Sequence, residues 1–134
     1  MRHKVEGRTL GREKSHRKAL LRNLVSSLII NERINTTHAK ALEARRVAER
    51  VITYAKKGTV HHQRLIYSVL QDRDLVKKVM NDIVTKLNDR EGGYTRVVKN
   101  GFRRGDSAPM ALLEWVYYVP PETGKQSKTA KKEA

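Results

Sequence analysis

Gly92 and Gly93 divide the chain into two kinds of pattern, and this division constrains the fold more than any other feature. Before the pair, apolar residues recur at helical spacing; after it, β-branched and aromatic residues fill short runs. Leu20, Leu21, Leu24, Val25, Leu28 and Ile29 predict a first helix from Ser15, whose hydroxyl can serve as its N-cap. The segment ERINTTHAKA breaks that helix, with Ile34 between polar residues predicting a very short strand and Thr36 or Thr37 available to cap the next helix. This second helix is expected from His38 to Lys57, burying Leu42, Ala48, Val51, Ile52 and Ala55 and stopping at Gly58. Shorter amphipathic patterns run from His61 to Gln71 and from Asp72 to Asp89. The later one keeps Leu75, Val76, Val79, Met80, Ile83, Val84 and Leu87 at helical spacing.

Beyond the glycine pair, TRVV and MALLEWVYYV predict two antiparallel strands joined by the basic turn KNGFRRGDSAP. The expected fold is therefore α+β: one two-layer domain with a helix, a short strand, three helices and a closing β-hairpin. A chain of 134 residues suits one such core, and no second domain is expected. The core is expected over residues 15–119. Residues 1–14 carry too little apolar content to bury themselves and read as an extended basic arm, and residues 120–134 read as a Lys-rich tail disordered off its partner.

Charge narrows the function. Lys and Arg number 29 against 14 Asp and Glu, a formal net charge of +15, and such an excess repels itself without an anionic partner. Nucleic acid fits, because each phosphate neutralised releases condensed counterions. A membrane partner is disfavoured: no apolar run approaches the roughly 18 residues a span needs, and the start MRHKVEGRTLGR lacks a signal peptide's apolar centre. With no cysteine, disulfides, thiolate zinc sites and cysteine nucleophiles are excluded, and a reducing cytoplasm is compatible.

The residues offer little to catalysis. His61 and His62 are adjacent and cannot both face one helix-bound metal, and His3, His16 and His38 have no partner at ligand spacing. Glu43 with Arg46 and Glu49 with Arg45 read as pairs along a helix. Asp106 follows Gly105 in a turn, where Asp commonly bonds backbone, and Glu114 lies inside a strand. No Walker-type loop, GxSxG elbow or HExxH helix occurs. No cofactor, metal or small-molecule substrate is expected, and the chain does not read as an enzyme.

Placement of the cations carries the positive signal. Arg2, His3, Lys4, Arg8, Arg12 and Lys14 lie on the arm, and Arg17, Lys18 and Arg22 continue the charge along the first helix. Gly7 and Gly11 permit close backbone approach to phosphates, and Arg can grip a phosphate with two parallel bonds. Lys99, Arg103 and Arg104 make the hairpin turn basic, and Phe102 and Tyr94 beside it are the stacking candidates. Trp115, Tyr117 and Tyr118 are expected mainly to fill the core. Two other readings stay open at this level: a helix-pair reader of duplex DNA, and an RNA-processing enzyme using His16, His61 or Asp106.

Read in order, MRHK, LGREKSHRKALLRNL, ERINTTHAKALEARR, EGGYTR and FRRGDSAPMALLE resemble bacterial ribosomal proteins of the L-seventeen family, over nearly all of residues 1–119. The resemblance implies helices packed on one face of a small sheet. It also implies a structural role in the large ribosomal subunit of the cytoplasm, with large-subunit ribosomal RNA bound near the exit of the peptide tunnel. Neighbouring ribosomal proteins, the L-thirty-two family among them, would be in contact. Carried over position by position, Arg2, His3, Arg12, His16, Arg17, Arg96, Arg103 and Arg104 become RNA contacts.

Overall fold

Helix α1 (Lys14–Asn31) ends where the chain must turn into a strand, and Glu32 makes that turn in the left-handed region at φ 62°. A non-glycine residue there costs about 1 kcal/mol or more, and several bonds offset it. The Glu32 N–H donates to the Leu28 carbonyl at 2.8 Å, and its carboxylate accepts from Lys86 Nζ at 3.1 Å and from the Tyr117 hydroxyl at 3.2 Å. The computed structural model describes residue 3 and residues 6–121, so Arg2, Lys4 and most of the expected tail lie outside the described residues.

Strand β1 (Arg33–Thr37) leads directly into α2 (His38–Lys57), which Gly58 closes at φ 67° as its spacing predicted. Then come α3 (Val60–Leu70), α4 (Arg73–Lys78), a π-helical turn (Val79–Ile83) and α5 (Val84–Lys86). The two closing strands are β2 (Thr95–Phe102) and β3 (Pro109–Trp115). The sheet is antiparallel in the order β1-β3-β2, so the last strand is central and the short early strand finds its partner there.

The architecture is α+β in the expected order, with four departures in detail. α1 starts at Lys14 with Glu13 as N-cap, and neither it nor Thr37 at the start of α2 makes a side-chain cap bond. The helix expected without interruption from Asp72 to Asp89 contains the π turn. Leu75, Val79, Ile83 and Leu87 are spaced strictly by four, which in an α-helix drifts about 40° per step. A wider turn takes up that drift and keeps Val79, Ile83 and Leu87 fully buried. β2 runs on through Lys99 to Phe102, residues expected in the turn, by means of a bulge between Lys99 and Phe102 at which Gly101 adopts φ 68°. β3 stops at Trp115, because Val116 and Tyr117 turn, with the Tyr118 N–H donating to the Trp115 carbonyl at 3.0 Å.

Helix α2 lies at the centre. Ala41, Ala44, Ala48 and Ala55 are buried, and these small residues let it approach both the sheet and α1 closely. Leu42, expected in its buried stripe, is only partly covered, and Ala41 and Ala44 take that place. Val25, Leu28 and Ile29 of α1, Ile66 and Leu70 of α3, and Leu113 and Trp115 of β3 complete one core cluster. The Trp115 indole N–H donates to the Leu28 carbonyl at 3.2 Å, fastening the end of α1 to the central strand. By strand alternation Thr95, Leu113 and Thr36 face the helices, while Asn35, Val98 and Leu112 lie on the opposite face.

Candidate RNA interface

Two clefts on the helical side collect the cations. In one, Lys18 and Arg22 of α1 meet Arg50 of α2 over a floor of Leu21, Val47 and Val69, with no carboxylate among the described residues of the lining; its volume is about 290 Å³. Arg22 Nε donates to the Val69 carbonyl at 3.0 Å, which fixes the guanidinium plane at the mouth. In the other, about 360 Å³, Arg8 of the arm joins Arg45 and Arg46 of α2 beside Leu42, Glu43 and Glu49. Glu49 is engaged within the fold, accepting from Arg45 Nε at 3.3 Å and from the Thr95 hydroxyl at 3.0 Å. Arg46 and Arg50 are exposed and stand one helical turn apart, so α2 carries positive charge from one cleft to the other.

Arg45, Arg46 and Arg50 are not among the contacts expected from sequence. Their spacing away from the alanine stripe is visible there, but which neighbours that face meets is not. Of the expected contacts, Arg8, Lys18 and Arg22 are brought together with these arginines. Lys14 and His16 are exposed at the start of α1, Arg17 is partly covered, and His3 is exposed. Arg12 is partly buried: its Nη1 donates to the Leu10 carbonyl at 2.8 Å, and its Nε has no hydrogen-bond partner among the described residues.

The sheet side is more neutralised. Arg96 Nε and Nη2 reach Glu114 Oε1 at 2.8 and 2.6 Å, and Arg33 Nε lies 3.1 Å from Oε2. The Arg33 Nε–H points off that line and makes no hydrogen bond among the described residues, so this contact is Coulombic. Glu114 thus faces a guanidinium on each neighbouring strand. At the hairpin tip Arg103 grips Asp106 through two bonds of 3.0 and 2.6 Å. That bond, with the Ala108 N–H, lowers the Asp106 carboxyl to about 2 and raises the Arg103 guanidinium. Lys99 and Arg104 stay exposed without a carboxylate partner among the described residues.

The aromatics separate sharply. Phe102 is 75 % exposed at the tip and available to stack. Tyr94, the other stacking candidate, is 5 % exposed with Lys56 Nζ 5.2 Å from its ring centre, which removes it from that role. Trp115 is fully buried, and Tyr117 and Tyr118 lie beyond the strand beside Lys86 and Arg33. Burial and the neighbouring Glu32 carboxylate push the Tyr117 hydroxyl upward. Tyr67, which no sequence motif marks, is exposed on α3.

Nothing among the described residues assembles an acid–base pair. Asp106 is held by Arg103, and His62 shares its Nδ1 with the Thr59 hydroxyl at 2.6 Å. Desolvation, then Lys57 and His61, lowers the His62 imidazole. No three His, Asp or Glu side chains among the described residues converge on a metal position, and no described helix is long and apolar enough to cross a membrane.

The sequence profile of "Ribosomal protein L17" matches residues 20–116. The chain belongs to the ribosomal protein L17 family. Relatives named "Large ribosomal subunit protein bL17" include that of Thermodesulfovibrio yellowstonii, 52 % identical over all of this chain and 99 % of its own length. Those of Syntrophus aciditrophicus and Chlorobium limicola are 46 % and 48 % identical, each over 96 % of this chain and over 100 % and 87 % of their own lengths. Members of this family are structural ribosomal proteins and not enzymes.

Proposed function

We propose that this chain is a structural constituent of the large ribosomal subunit in the cytoplasm, binding folded ribosomal RNA and fastening separate RNA helices together. The observation that carries the reading is the run of cations from Arg8 through Arg46 and Arg50 to Arg22 and Lys18, with no carboxylate among the described residues lining the cleft of Lys18, Arg22 and Arg50. Self-repulsion there is relieved by an anion, and a phosphate backbone supplies anions at regular spacing. The arm, residues 1–14, lies along RNA, the core over 15–119 docks, and residues 120–134 form a tail. Arg2, His3, Lys4, Arg8, Arg12, Lys14, His16, Arg17, Lys18, Arg22, Arg96, Lys99, Arg103 and Arg104 make contact. Recognition is chiefly of shape and backbone. Family resemblance supports a place near the tunnel exit beside neighbouring proteins such as the L-thirty-two family.

Binding of the purified chain to a large-subunit RNA fragment tests this across a salt series, with duplex DNA as competitor. The expected dependence is steep, and deleting residues 1–14 reduces the log–log slope by about 3.5 to 4.5 if each arm Lys and Arg meets a phosphate. An unchanged slope overturns the arm's role. Preferred binding to the duplex DNA, or failure of a tagged chain to cosediment with the large subunit, overturns the reading as a whole.

A further inference from the structure

On the surface formed by α3 and α4 lies a third groove, about 290 Å³, that no sequence motif announced. Val60, Arg64 and Tyr67 recur at i, i+4 and i+7 on α3, and Arg73, Val76 and Lys77 at i, i+3 and i+4 on α4, so each helix presents one mixed apolar and basic face to it. Val60 is 62 % and Tyr67 44 % exposed. An isolated exposed apolar residue is ordinary; two lining one groove under three cations are not explained by the core. Among the described residues Arg64 and Arg73 have no carboxylate partner, and Lys77 has only a 3.9 Å contact with Asp74, both side chains being well exposed.

We propose that this groove is a second RNA site, which seats one unstacked base of a single-stranded segment against Tyr67, with the flanking phosphates on Arg64, Arg73 and Lys77. The inference rests on the RNA-binding reading above and goes beyond it in naming a separate site and the form of RNA it takes. The cationic rim favours a nucleic acid over an apolar peptide, and the volume lies at the lower end of small-ligand sites, which suits one planar ring. A base inside an A-form duplex offers no open face to a tyrosine, so the groove discriminates in favour of single strands.

The test uses the full chain, a labelled oligouridylate carrying 5-iodouridine, and a blunt RNA duplex. Tyr67→Leu keeps an apolar, helix-compatible side chain and removes the π face, whereas Tyr67→Phe retains it. Tyr67→Leu is expected to weaken oligouridylate binding about 10-fold, within the range for losing one stacked base, with Tyr67→Phe changing it by less than about 2-fold. Duplex binding is expected to hold for both variants, and irradiation to crosslink Tyr67. Unchanged oligouridylate binding by Tyr67→Leu, while the large-subunit RNA fragment still binds, overturns this site and leaves the broader reading standing. Loss of single strand and duplex in equal measure overturns the stacking role. Binding of a Glu- and Leu-rich peptide that Tyr67→Leu abolishes, with oligouridylate unaffected, makes the groove a protein dock and equally overturns the inference.

Discussion

Replacing Glu114 by Gln removes one charge from the centre of the sheet while preserving side-chain shape. Glu114 is 5 % exposed, and its two oxygens face Arg96 on β2 and Arg33 on β1. Removing one member of a fully buried pair costs about 3–5 kcal/mol because the other charge is stranded. Here the Arg33 and Arg96 side chains are 32 % and 51 % exposed and can turn to water, so the cost falls below that range. The Arg96 bond drops from a charge-assisted to a neutral one, about 1 kcal/mol, and the Coulombic contact with Arg33 goes, about 0.5–1 kcal/mol. The new amide also places N–H groups against a guanidinium. The sum is about 2 kcal/mol, which at a slope of about 2 kcal/mol/M moves the urea midpoint down by about 1 M. Equilibrium unfolding followed by circular dichroism measures it, and a cycle with Arg96→Met is expected to return a coupling near 1 kcal/mol. A midpoint shift under about 0.3 M at unchanged slope would refute the claim that this carboxylate ties the three strands together.

The single tryptophan reports on the same core. Trp115 is fully buried, so its native fluorescence is expected to be blue-shifted and protected from acrylamide, moving red only in the global transition; water-like emission from the folded chain would contradict its packing. Trp115→Phe loses the bond to the Leu28 carbonyl and leaves a small void, lowering stability by about 1–2 kcal/mol in urea unfolding, less than a full truncation because the Glu32 N–H still satisfies that carbonyl. At the hairpin tip, the Asp106 carboxyl sits below its ordinary value, so the folded form binds its proton less readily than the unfolded chain. The tip's stabilisation is present above pH 3.8 and lost as pH falls through about 2. Nuclear magnetic resonance of the Ala108 amide tracks this loss, Asp106→Asn abolishes the titration, and a midpoint near 3.8 would show that the Arg103 bridge does not form.

Helix count, helix order and the switch to strands at Gly92 and Gly93 were legible in the sequence, because side-chain periodicity and backbone propensity act over a few neighbouring residues. The arm's poverty in apolar residues and the excess of cations were legible for the same reason: both are local composition. Family membership was legible in the ordered set of short motifs. The partner of the Ile34 strand was not, since it pairs with residues nearly eighty positions later and pairing over such a distance leaves no local mark. The π turn was concealed within a pattern that satisfies a helix, and only packing against the core decides whether a four-residue spacing is absorbed by drift or by a wider turn.

The site divides in the same way. Sequence identified which residues are cations; tertiary structure decided which of them already face a carboxylate within the fold. Glu114 draws Arg96 into the sheet and Asp106 holds Arg103 at the tip, whereas Arg50 and Arg46, unassigned from sequence, join the arm to α1. Tyr94 is buried and Tyr67, unmarked in the sequence, is exposed, because burial depends on what the rest of the chain packs against each ring. A charge's identity is set by its own residue, but the field it offers a phosphate is set by its neighbours in space, and these come together only when the helices close on the sheet.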